Sequence, residues 1–245
     1  MKAICFLLLF ISFTVPAKTV LFVTSEFPLI SEETPEQEHT GLGVDIVKLI
    51  AARLDLDYKI ESYPLKRALS MMEHGEADAI IGPYRSNERE EYLDYAKLPF
   101  YIDALTFFTK ENENQVWDGS YASIANLHIG LIRGWSYGDE FNAVESKLSV
   151  TRLNNAYSCL QMLILERIDL CATHQRQVNA LAKHNSSLNK LVPLSPVIAV
   201  NHGYIAFAKG ENMKAVNARF DEEFALLLQS GEVAKLQAKY DLTVM

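Results

Sequence analysis

Residues 68–82 read ALSMMEHGEADAIIG, and this stretch contains the pattern on which the fold prediction depends. Its first part has apolar side chains at helical spacing and ends at Gly75, which is typical of a helix C-terminus. Its second part, Asp78–Gly82, is a short apolar run that predicts a buried strand. A helix that leads directly into a buried strand is half of a β-α-β unit.

The residues before this stretch supply the elements that complete the unit. Thr19–Thr24 and Asp57–Ser62 are predicted strands. Asp45–Leu54 has apolar side chains at helical spacing and an acidic first turn, and Pro64 begins the helix that ends at Gly75. The resulting β-α-β-α-β order predicts an α/β fold with a mostly parallel sheet and helices on both of its faces.

The second half of the chain repeats this pattern at a fixed offset. Leu69, Met71 and Asp78 have counterparts 91 residues later in Leu160, Met162 and Asp169. The predicted elements of this half are strands at His128–Arg133 and Asp169–Thr173 and helices at Gly138–Leu148, Asn155–Arg167 and His174–Lys183. The common offset predicts two similar α/β lobes.

Two apolar segments without helical period, Ala104–Lys110 and Gly203–Lys209, are predicted to pass between the lobes in extended form. Met213–Ser230 is a predicted amphipathic helix that packs back on the first lobe. We therefore expect lobe 1 to comprise residues 18–107 and 206–245, and lobe 2 to comprise residues 108–205. Two lobes joined by two extended strands form a hinge, and hinged lobes close around ligands.

The first seventeen residues are predicted to be a secretory signal peptide. Lys2 precedes an apolar run from Ala3 to Val15, and Val15-Pro16-Ala17 fits a cleavage site. The run is too short to span a bilayer, and no later segment approaches about 18 uninterrupted apolar residues. We expect a soluble, exported protein that begins at Lys18 and is located in the periplasm.

The composition excludes several classes of partner. With 49% apolar and 22% charged residues the chain is typical of a globular protein, and its formal net charge is −8. No basic cluster is present to neutralise phosphates, which argues against binding to nucleic acid or to an anionic membrane surface. We expect a monomer with a small-molecule ligand.

The cysteines, histidines and glycines predict no metal site and no cofactor. Cys159 and Cys171 remain after removal of the signal peptide, and we favour two buried thiols over a disulfide, although the two could pair in an oxidising compartment. The six histidines lack metal-ligand spacing. Gly41-Leu42-Gly43 lacks the third glycine of a dinucleotide-binding motif and is interpreted as a turn.

Three stretches of the first half, together with one near the C-terminus, resemble the bacterial extracellular solute-binding proteins of family 3, the polar-amino-acid type of ABC transporters. They are GLGVDIVKLIAARLDLDY (41–58), ALSMMEHGEADAIIG (68–82), the run from NERE (87–90) to TFFTK (106–110), and GYIAFAKGENMKAVNARFDEEFALLLQSG (203–231). The resemblance implies a periplasmic-binding-protein-like fold of type II and capture of a small polar, carboxylate-bearing solute between the lobes. It also implies delivery to an ABC permease or a membrane sensor.

The resemblance places ligand contacts just after the two matched strands. Arg89 occupies the position of the arginine that pairs with a ligand carboxylate, and Gly82 closes the strand before it. Two positions depart from the family: Tyr84 stands where a threonine is usual, and His174 stands where an aspartate binds the ligand's ammonium group. A neutral histidine is not a counter-ion. The ligand is therefore expected to lack an amine or to have its amine bound by another acid, such as Glu26.

Six further residues are candidates for the cleft. Glu26 and Phe27 follow the first strand, where open α/β sheets bind ligands. Tyr63 and Arg67 flank the start of a helix that is expected to face the same cleft. The loop with Trp135 and Ser136 lies between a predicted strand and a predicted helix, and the free N–H groups of such a turn can bind an anion. Together with the matched positions, the candidate ligand-binding residues are Glu26, Phe27, Tyr63, Arg67, Gly82, Tyr84, Arg89, Trp135, Ser136 and His174.

Two catalytic alternatives stay open beside the favoured non-catalytic binding protein. Cyclohexadienyl dehydratases resemble this scaffold, and Glu26 or His174 is the candidate general acid or base for such an enzyme. Gly134-Trp135-Ser136-Tyr137-Gly138 also has the G-x-S-x-G form of a serine hydrolase. Asp169 or Asp221 and His184 or His202 are the candidates that complete its triad.

Overall fold

The structure is a computed structural model that describes residues 19–111 and 117–242. The predicted signal peptide, residues 1–17, lies outside this part. In chain order the strands are β1 (Val20–Thr24), β2 (Glu32–Glu33), β3 (His39–Thr40), β4 (Tyr58–Ser62), β5 (Ala79–Tyr84), β6 (Leu93–Tyr95), β7 (Tyr101–Lys110), β8 (His128–Ile132), β9 (Ser149–Leu153), β10 (Leu170–Thr173), β11 (Leu191–Pro193) and β12 (Ala199–Ala208). The helices are α1 (Leu42–Leu54), α2 (Leu65–Glu73), α3 (Asp139–Val144), α4 (Ala156–Ile164), α5 (Gln175–Ala182), α6 (Glu211–Gln229) and α7 (Glu232–Lys239).

The main strands are ordered β4-β1-β5-β12-β7-β10-β8-β9. The two outer groups of three are parallel within themselves, whereas the long strands β7 and β12 pair antiparallel with each other and with the groups on either side. We call the part built on β1, β4 and β5 the first lobe and the part built on β8, β9 and β10 the second lobe. The boundaries predicted at residues 107 and 205 fall inside β7 and β12 and stay a prediction.

Helices cover both faces of the sheet in each lobe. Side chains alternate along the strands, so neighbouring residues of one strand pack against helices on opposite faces. On β1, Phe22 packs in the core formed with α1 and α6, whereas its neighbour Val23 packs in a separate core with α2. On β8, Ile132 packs with α4 in one core, and Leu131 packs with Phe141 of α3 in another. The prediction of an α/β fold with helices on both faces is confirmed.

The repeat predicted from the 91-residue offset has the same hydrogen bonds in both lobes. The carboxylate of Asp78 accepts from the N–H of Leu21 at 3.0 Å, and the N–H of Asp78 donates to the Leu21 carbonyl at 3.0 Å. Asp169 makes the same pair with His128, at 2.7 and 2.8 Å. Each aspartate therefore joins the start of its strand to the first strand of its lobe, which is a structural reason for its place in the repeat.

Several predicted elements differ in extent from those observed. The helix predicted at Gly138–Leu148 is the shorter α3, followed by a 3-10 turn at Glu145–Lys147. Strand β9 and helix α7 were not predicted: β9 has apolar side chains at only two of its five positions, and α7 is a short helix that begins directly after Gly231, where the preceding helix was expected to end. The extended segment predicted from Ala104 begins earlier, at Tyr101, so that Asp103 lies within β7.

Cys159 and Cys171 correct another prediction. We favoured two free thiols, but the two residues form a disulfide bond between α4 and β10. Their Cα atoms are 6.0 Å apart, within the range that a disulfide spans. The helix packs directly on the strand, and this contact between elements brings the sulfurs together.

Candidate ligand-binding cleft

Most of the predicted site residues gather at the carboxyl ends of the parallel strands, between the two lobes. The loops after β1, β5, β8 and β10 all end at this edge, where α/β sheets bind ligands. Two cavities open here, of about 760 Å³ and about 540 Å³. Arg133 and Trp135 line both. The cleft is therefore large enough for a small organic solute.

Arg89 lies in a 3-10 turn shortly after β5, lines the larger cavity and is 6% exposed. Its guanidinium donates to the carbonyl of Tyr84 at 2.7 Å and, across the cleft, to the carbonyl of Gly134 at 2.6 Å. Within residues 19–111 and 117–242, no carboxylate lies within 4.0 Å of this guanidinium to form an ion pair. Arg89 is thus a buried cation without a counter-ion from the described chain.

Phe27 is the centre of an aromatic cluster between the two lobes. Its ring makes edge contacts with Tyr84, Tyr101, Trp135 and His174, at centroid distances of 6.1, 5.8, 5.7 and 5.2 Å. Residues of both lobes and of β7 take part, so the cluster is formed only when the lobes are close together.

His174 is the N-cap residue of α5 and is 1% exposed. Its Nδ1 accepts a hydrogen bond from the N–H of Gln177 at 3.2 Å, and its ring stacks on Trp135 at a centroid distance of 5.1 Å. Burial lowers the pKa of His174 to about 3, although the carboxylate of Asp103 acts in the opposite direction. The imidazole is therefore neutral at physiological pH.

Asp103 and Arg176 form a buried ion pair that the sequence analysis missed. The Arg176 Nη2 lies 2.5 Å from the Asp103 Oδ2, with the two side chains 10% and 5% exposed. The guanidinium also lies over the ring of Phe27, 4.4 Å from its centroid, and donates to the carbonyl of Pro28. Arg176 belongs to α5 of the second lobe, so this single side chain binds both the first lobe and the strand β7 that joins the lobes.

Two signals in the sequence could have indicated this pair. Asp103 is an acidic residue inside an otherwise apolar strand, where an unpaired carboxylate is costly. Arg176 lies in the first turn of a helix that begins at the cleft. Neither signal identifies the partner, which is 73 residues away.

Tyr84 and Gly82 lie in β5 and act chiefly within the protein. The hydroxyl of Tyr84 donates to the Asp103 Oδ2 at 2.8 Å, and burial together with this carboxylate raises the tyrosine's pKa well above its usual value. The carbonyl of Gly82 accepts from the hydroxyl of Tyr101 at 2.6 Å. Tyr84 thus contacts Asp103 through its hydroxyl and Arg89 through its carbonyl.

The remaining candidates are placed as follows. Glu26 is exposed, lines the smaller cavity and accepts from the N–H of Glu33 at 3.1 Å. Tyr63 lines the same cavity and donates to Glu61 at 2.7 Å. Ser136 lines the larger cavity. Arg67 is not brought together with these residues: its side chain is 52% exposed, pairs with Glu76 at 2.6 Å and lines neither cavity.

The residues of the hydrolase alternative do not assemble into a triad. The carboxylate of Asp169 accepts from the N–H of His128, and that of Asp221 accepts from the N–H of Lys97 at 2.8 Å. In the described part of the chain, the Ser136 hydroxyl has no hydrogen bond to a histidine. The loop instead binds β12 through the Ser136 carbonyl, which accepts from Asn201 at 2.8 Å.

Two further features are absent from the described residues. Over the described ranges, no group of three or more His, Cys, Asp or Glu side chains could hold a metal ion. The same ranges contain no helix with the length and apolar character needed to cross a bilayer.

Comparison with known proteins gives a consistent family and fold. Residues 19–243 match the sequence model of the bacterial extracellular solute-binding proteins, family 3. No curated protein matches the chain. A histidine kinase sensor domain with similarity to periplasmic binding proteins superimposes with a TM-score of 0.82 at 17% identity, covering 91% of this chain and 96% of the other.

Two binding proteins superimpose similarly. The substrate binding protein of an amino acid ABC transporter has a TM-score of 0.76 at 21% identity, with 91% of this chain and 99% of the other covered. A mutant of the arginine-binding protein ArgBP from T. maritima has a TM-score of 0.77 at 20% identity, with 91% and 94% covered. The periplasmic-binding-protein-like fold of type II predicted from the sequence is confirmed.

Proposed function

The chain belongs to the bacterial extracellular solute-binding proteins of family 3, and from this premise we propose that it binds a small carboxylate-bearing solute between its lobes without transforming it. The solute lies in the cleft beside Arg89, with the rings of Phe27 and Trp135 as walls. The proposal includes secretion to the periplasm by the predicted signal peptide.

The observation that carries the proposal is the unpaired charge of Arg89. A buried ion without a counter-ion is costly, and a ligand carboxylate that binds beside it offsets this cost. A guanidinium has five N–H donors, and the two carbonyls that Arg89 contacts leave donors available. A planar guanidinium suits a carboxylate because two parallel hydrogen bonds can form.

Arg89 also couples binding to closure of the lobes. Its hydrogen bond to Gly134 crosses the cleft, so the same side chain contacts the second lobe and is placed to contact the solute. A ligand that binds between hinged lobes favours the closed form by its differential affinity. The closed surface is what a membrane partner would recognise.

The proposed partner is an ABC permease, with a membrane sensor as the alternative. The first is supported by the fold shared with the substrate binding protein of an amino acid ABC transporter, and the second by the fold shared with a histidine kinase sensor domain. In both cases this chain supplies the ligand-dependent closure.

The experiment is isothermal titration calorimetry of the purified protein against small carboxylates and amino acids, with the ligand analysed after recovery. We expect a ligand that is recovered unchanged and whose affinity falls about 10- to 100-fold in Arg89→Gln, because a charged hydrogen-bond pair is lost. Arg53→Gln is the control, since this arginine lies on the outer face of the first lobe and pairs with Glu223 and Glu232.

Two outcomes would contradict the proposal. Unchanged affinity in Arg89→Gln would show that the carboxylate binds elsewhere. A ligand that is consumed during the titration would show an enzyme on this scaffold, with Glu26 or His174 as the first candidates for its acid or base.

A further inference from the structure

The cleft contains two buried arginines, and only one of them has a counter-ion. Arg176 is paired with Asp103 at 2.5 Å, whereas Arg89 has no carboxylate within 4.0 Å among the described residues. The two groups are linked by Tyr84, whose hydroxyl donates to Asp103 and whose carbonyl accepts from Arg89. The buried charges of this unit are therefore two positive and one negative, which leaves one positive charge for a ligand to neutralise.

Asp103 is the buried carboxylate of this unit, and its charge is already paired with that of Arg176. Its Oδ2 accepts from Arg176 and from Tyr84, and the guanidinium of Arg176 lies above the rings of Phe27 and Tyr101, at 4.4 and 5.4 Å from their centroids. A carboxylate with two aromatic faces is a favourable environment for a cation. In this protein a side chain of the second lobe occupies that environment.

His174 presents a donor to the same region. Its Nδ1 accepts from the N–H of Gln177, so the neutral ring carries its proton on Nε2. The Asp103 Oδ1 is 3.7 Å from Nδ1, which is too long for a hydrogen bond. Nε2 is buried and has no hydrogen-bond partner among the described residues. An N–H donor of this kind requires an oxygen acceptor and opposes an ammonium group.

We propose that Arg176 is the specificity-determining residue of the cleft. It occupies the cation environment formed by Asp103, Phe27 and Tyr101, and together with the His174 donor it selects carboxylates that carry an oxygen acceptor and no ammonium group. A 2-oxo acid is the simplest ligand of this class. The inference rests on the proposed function, since it assumes that Arg89 binds the ligand's carboxylate.

Charge accounts for the selection. A 2-oxo acid brings one negative charge, which pairs with Arg89, and a keto oxygen, which can accept from His174. The amino acid with the same carbon skeleton adds a positive charge beside two buried guanidinium groups and a neutral N–H donor. With Asp103 held by Arg176, that ammonium group has no buried counter-ion in the unit.

The test uses matched pairs that differ only in this group: pyruvate and L-alanine, 2-oxoglutarate and L-glutamate, and 2-oxoisocaproate and L-leucine. Calorimetry with the wild-type protein needs no variant. We expect at least one 2-oxo acid to bind at least 10-fold more tightly than its amino acid.

Arg176→Met removes the charge and keeps most of the side-chain length, so Asp103 becomes available to an ammonium group. We expect the ratio of the two affinities to shift at least 10-fold toward the amino acid. Arg176→Lys keeps a cation beside Asp103 and retains the wild-type preference. The double variant Arg176→Met/Asp103→Asn removes both charges. We expect it not to show the increased relative affinity for the amino acid.

The outcomes separate the inference from the proposed function. Equal or tighter binding of the amino acids by the wild-type protein, with affinity still dependent on Arg89, would overturn the inference and leave the proposed function standing. An unchanged ratio in a folded Arg176→Met variant would overturn it as well. If the wild-type protein binds neither member of any pair, carboxylate capture itself fails for these ligands, and the inference fails with it.

Discussion

The Nη2 of Arg89, in the first lobe, donates a 2.6 Å hydrogen bond to the carbonyl oxygen of Gly134, in the second lobe. Arg176 makes the reciprocal contact, because it belongs to the second lobe and donates to the carbonyl of Pro28 in the first. The closed arrangement of the lobes is thus stabilised by two guanidinium groups, one from each lobe, that donate to carbonyls of the opposite lobe.

The first prediction concerns this closure. In Arg89→Met the bond to Gly134 is lost, and we expect the average separation of the lobes to increase. Small-angle X-ray scattering of the ligand-free protein should show a larger radius of gyration than the wild type. We expect a still larger radius of gyration for the double variant Arg89→Met/Arg176→Met. Arg53→Met serves as the control, and equal radii for all four proteins would contradict the role of these arginines in closure.

The second prediction is a pH dependence of stability that arises from His174. Burial holds its pKa at about 3 in the folded protein, whereas an unfolded histidine has a pKa of about 6.5. Between these values the unfolded chain binds a proton that the folded protein does not. With respect to this group, the free energy of unfolding is therefore highest above pH 6.5. It decreases as the pH falls below this value, by up to about 1.4 kcal/mol per pH unit.

Urea unfolding at pH 7 and pH 4.5 measures this effect. His174→Asn keeps an N-cap acceptor for the Gln177 N–H but does not titrate, so we expect it to lose less stability between the two pH values than the wild type. The exposed His184, changed to asparagine, is the control and should behave as the wild type. An equal loss in His174→Asn would show that this histidine is not buried in its neutral form.

The third prediction concerns the disulfide between Cys159 and Cys171, which are separated by 12 residues in the sequence. Closing a loop of this size stabilises a protein by about 2–4 kcal/mol, mainly through the unfolded state. Urea unfolding with and without dithiothreitol should show a loss of this order for the wild type. The double variant Cys159→Ala/Cys171→Ala should not respond to the reductant. A wild-type protein that is equally insensitive would show free thiols.

The fourth prediction concerns the contact of Gly203 with Tyr101 between the long strands. The two residues are paired in the β7–β12 ladder, and a Cβ at Gly203 would lie 1.8 Å from the Cε1 of Tyr101. Gly203→Ala must displace this ring, and overpacking of this kind costs about 1–3 kcal/mol. Thermal unfolding measures the loss. Val200→Ala on the same strand is the control, because Val200 is 53% exposed, and a loss no larger than in this control would contradict the prediction.

Most of the architecture follows from local sequence patterns. The helix and strand around Asp78 and their counterparts around Asp169 were predicted from apolar spacing, and the structure gives both aspartates the same pair of backbone hydrogen bonds. Short elements, such as the five-residue β9 and the eight-residue α7, were missed because a periodic pattern is hard to recognise over so few positions.

The candidate site was only partly predictable. Arg89 was assigned through the family resemblance, and the structure locates it in the cleft with the loops of Phe27 and Trp135. Arg67 was chosen because it lies at the start of a helix that was expected to face the cleft, yet its side chain is largely exposed and pairs with Glu76. The direction of a long side chain depends on its neighbours in space, which spacing along the chain does not specify.

The sequence by itself determined the order of strands and helices, the repeat and the family resemblance, because hydrophobic periodicity and turn residues act over a few neighbouring positions. The tertiary structure alone decided that Asp103 is neutralised by Arg176, that Arg89 has no counter-ion from the described chain and that Cys159 meets Cys171. It also decided which nitrogen of His174 carries the proton. These properties depend on distances between groups from different elements, and such distances are fixed only when the elements pack together.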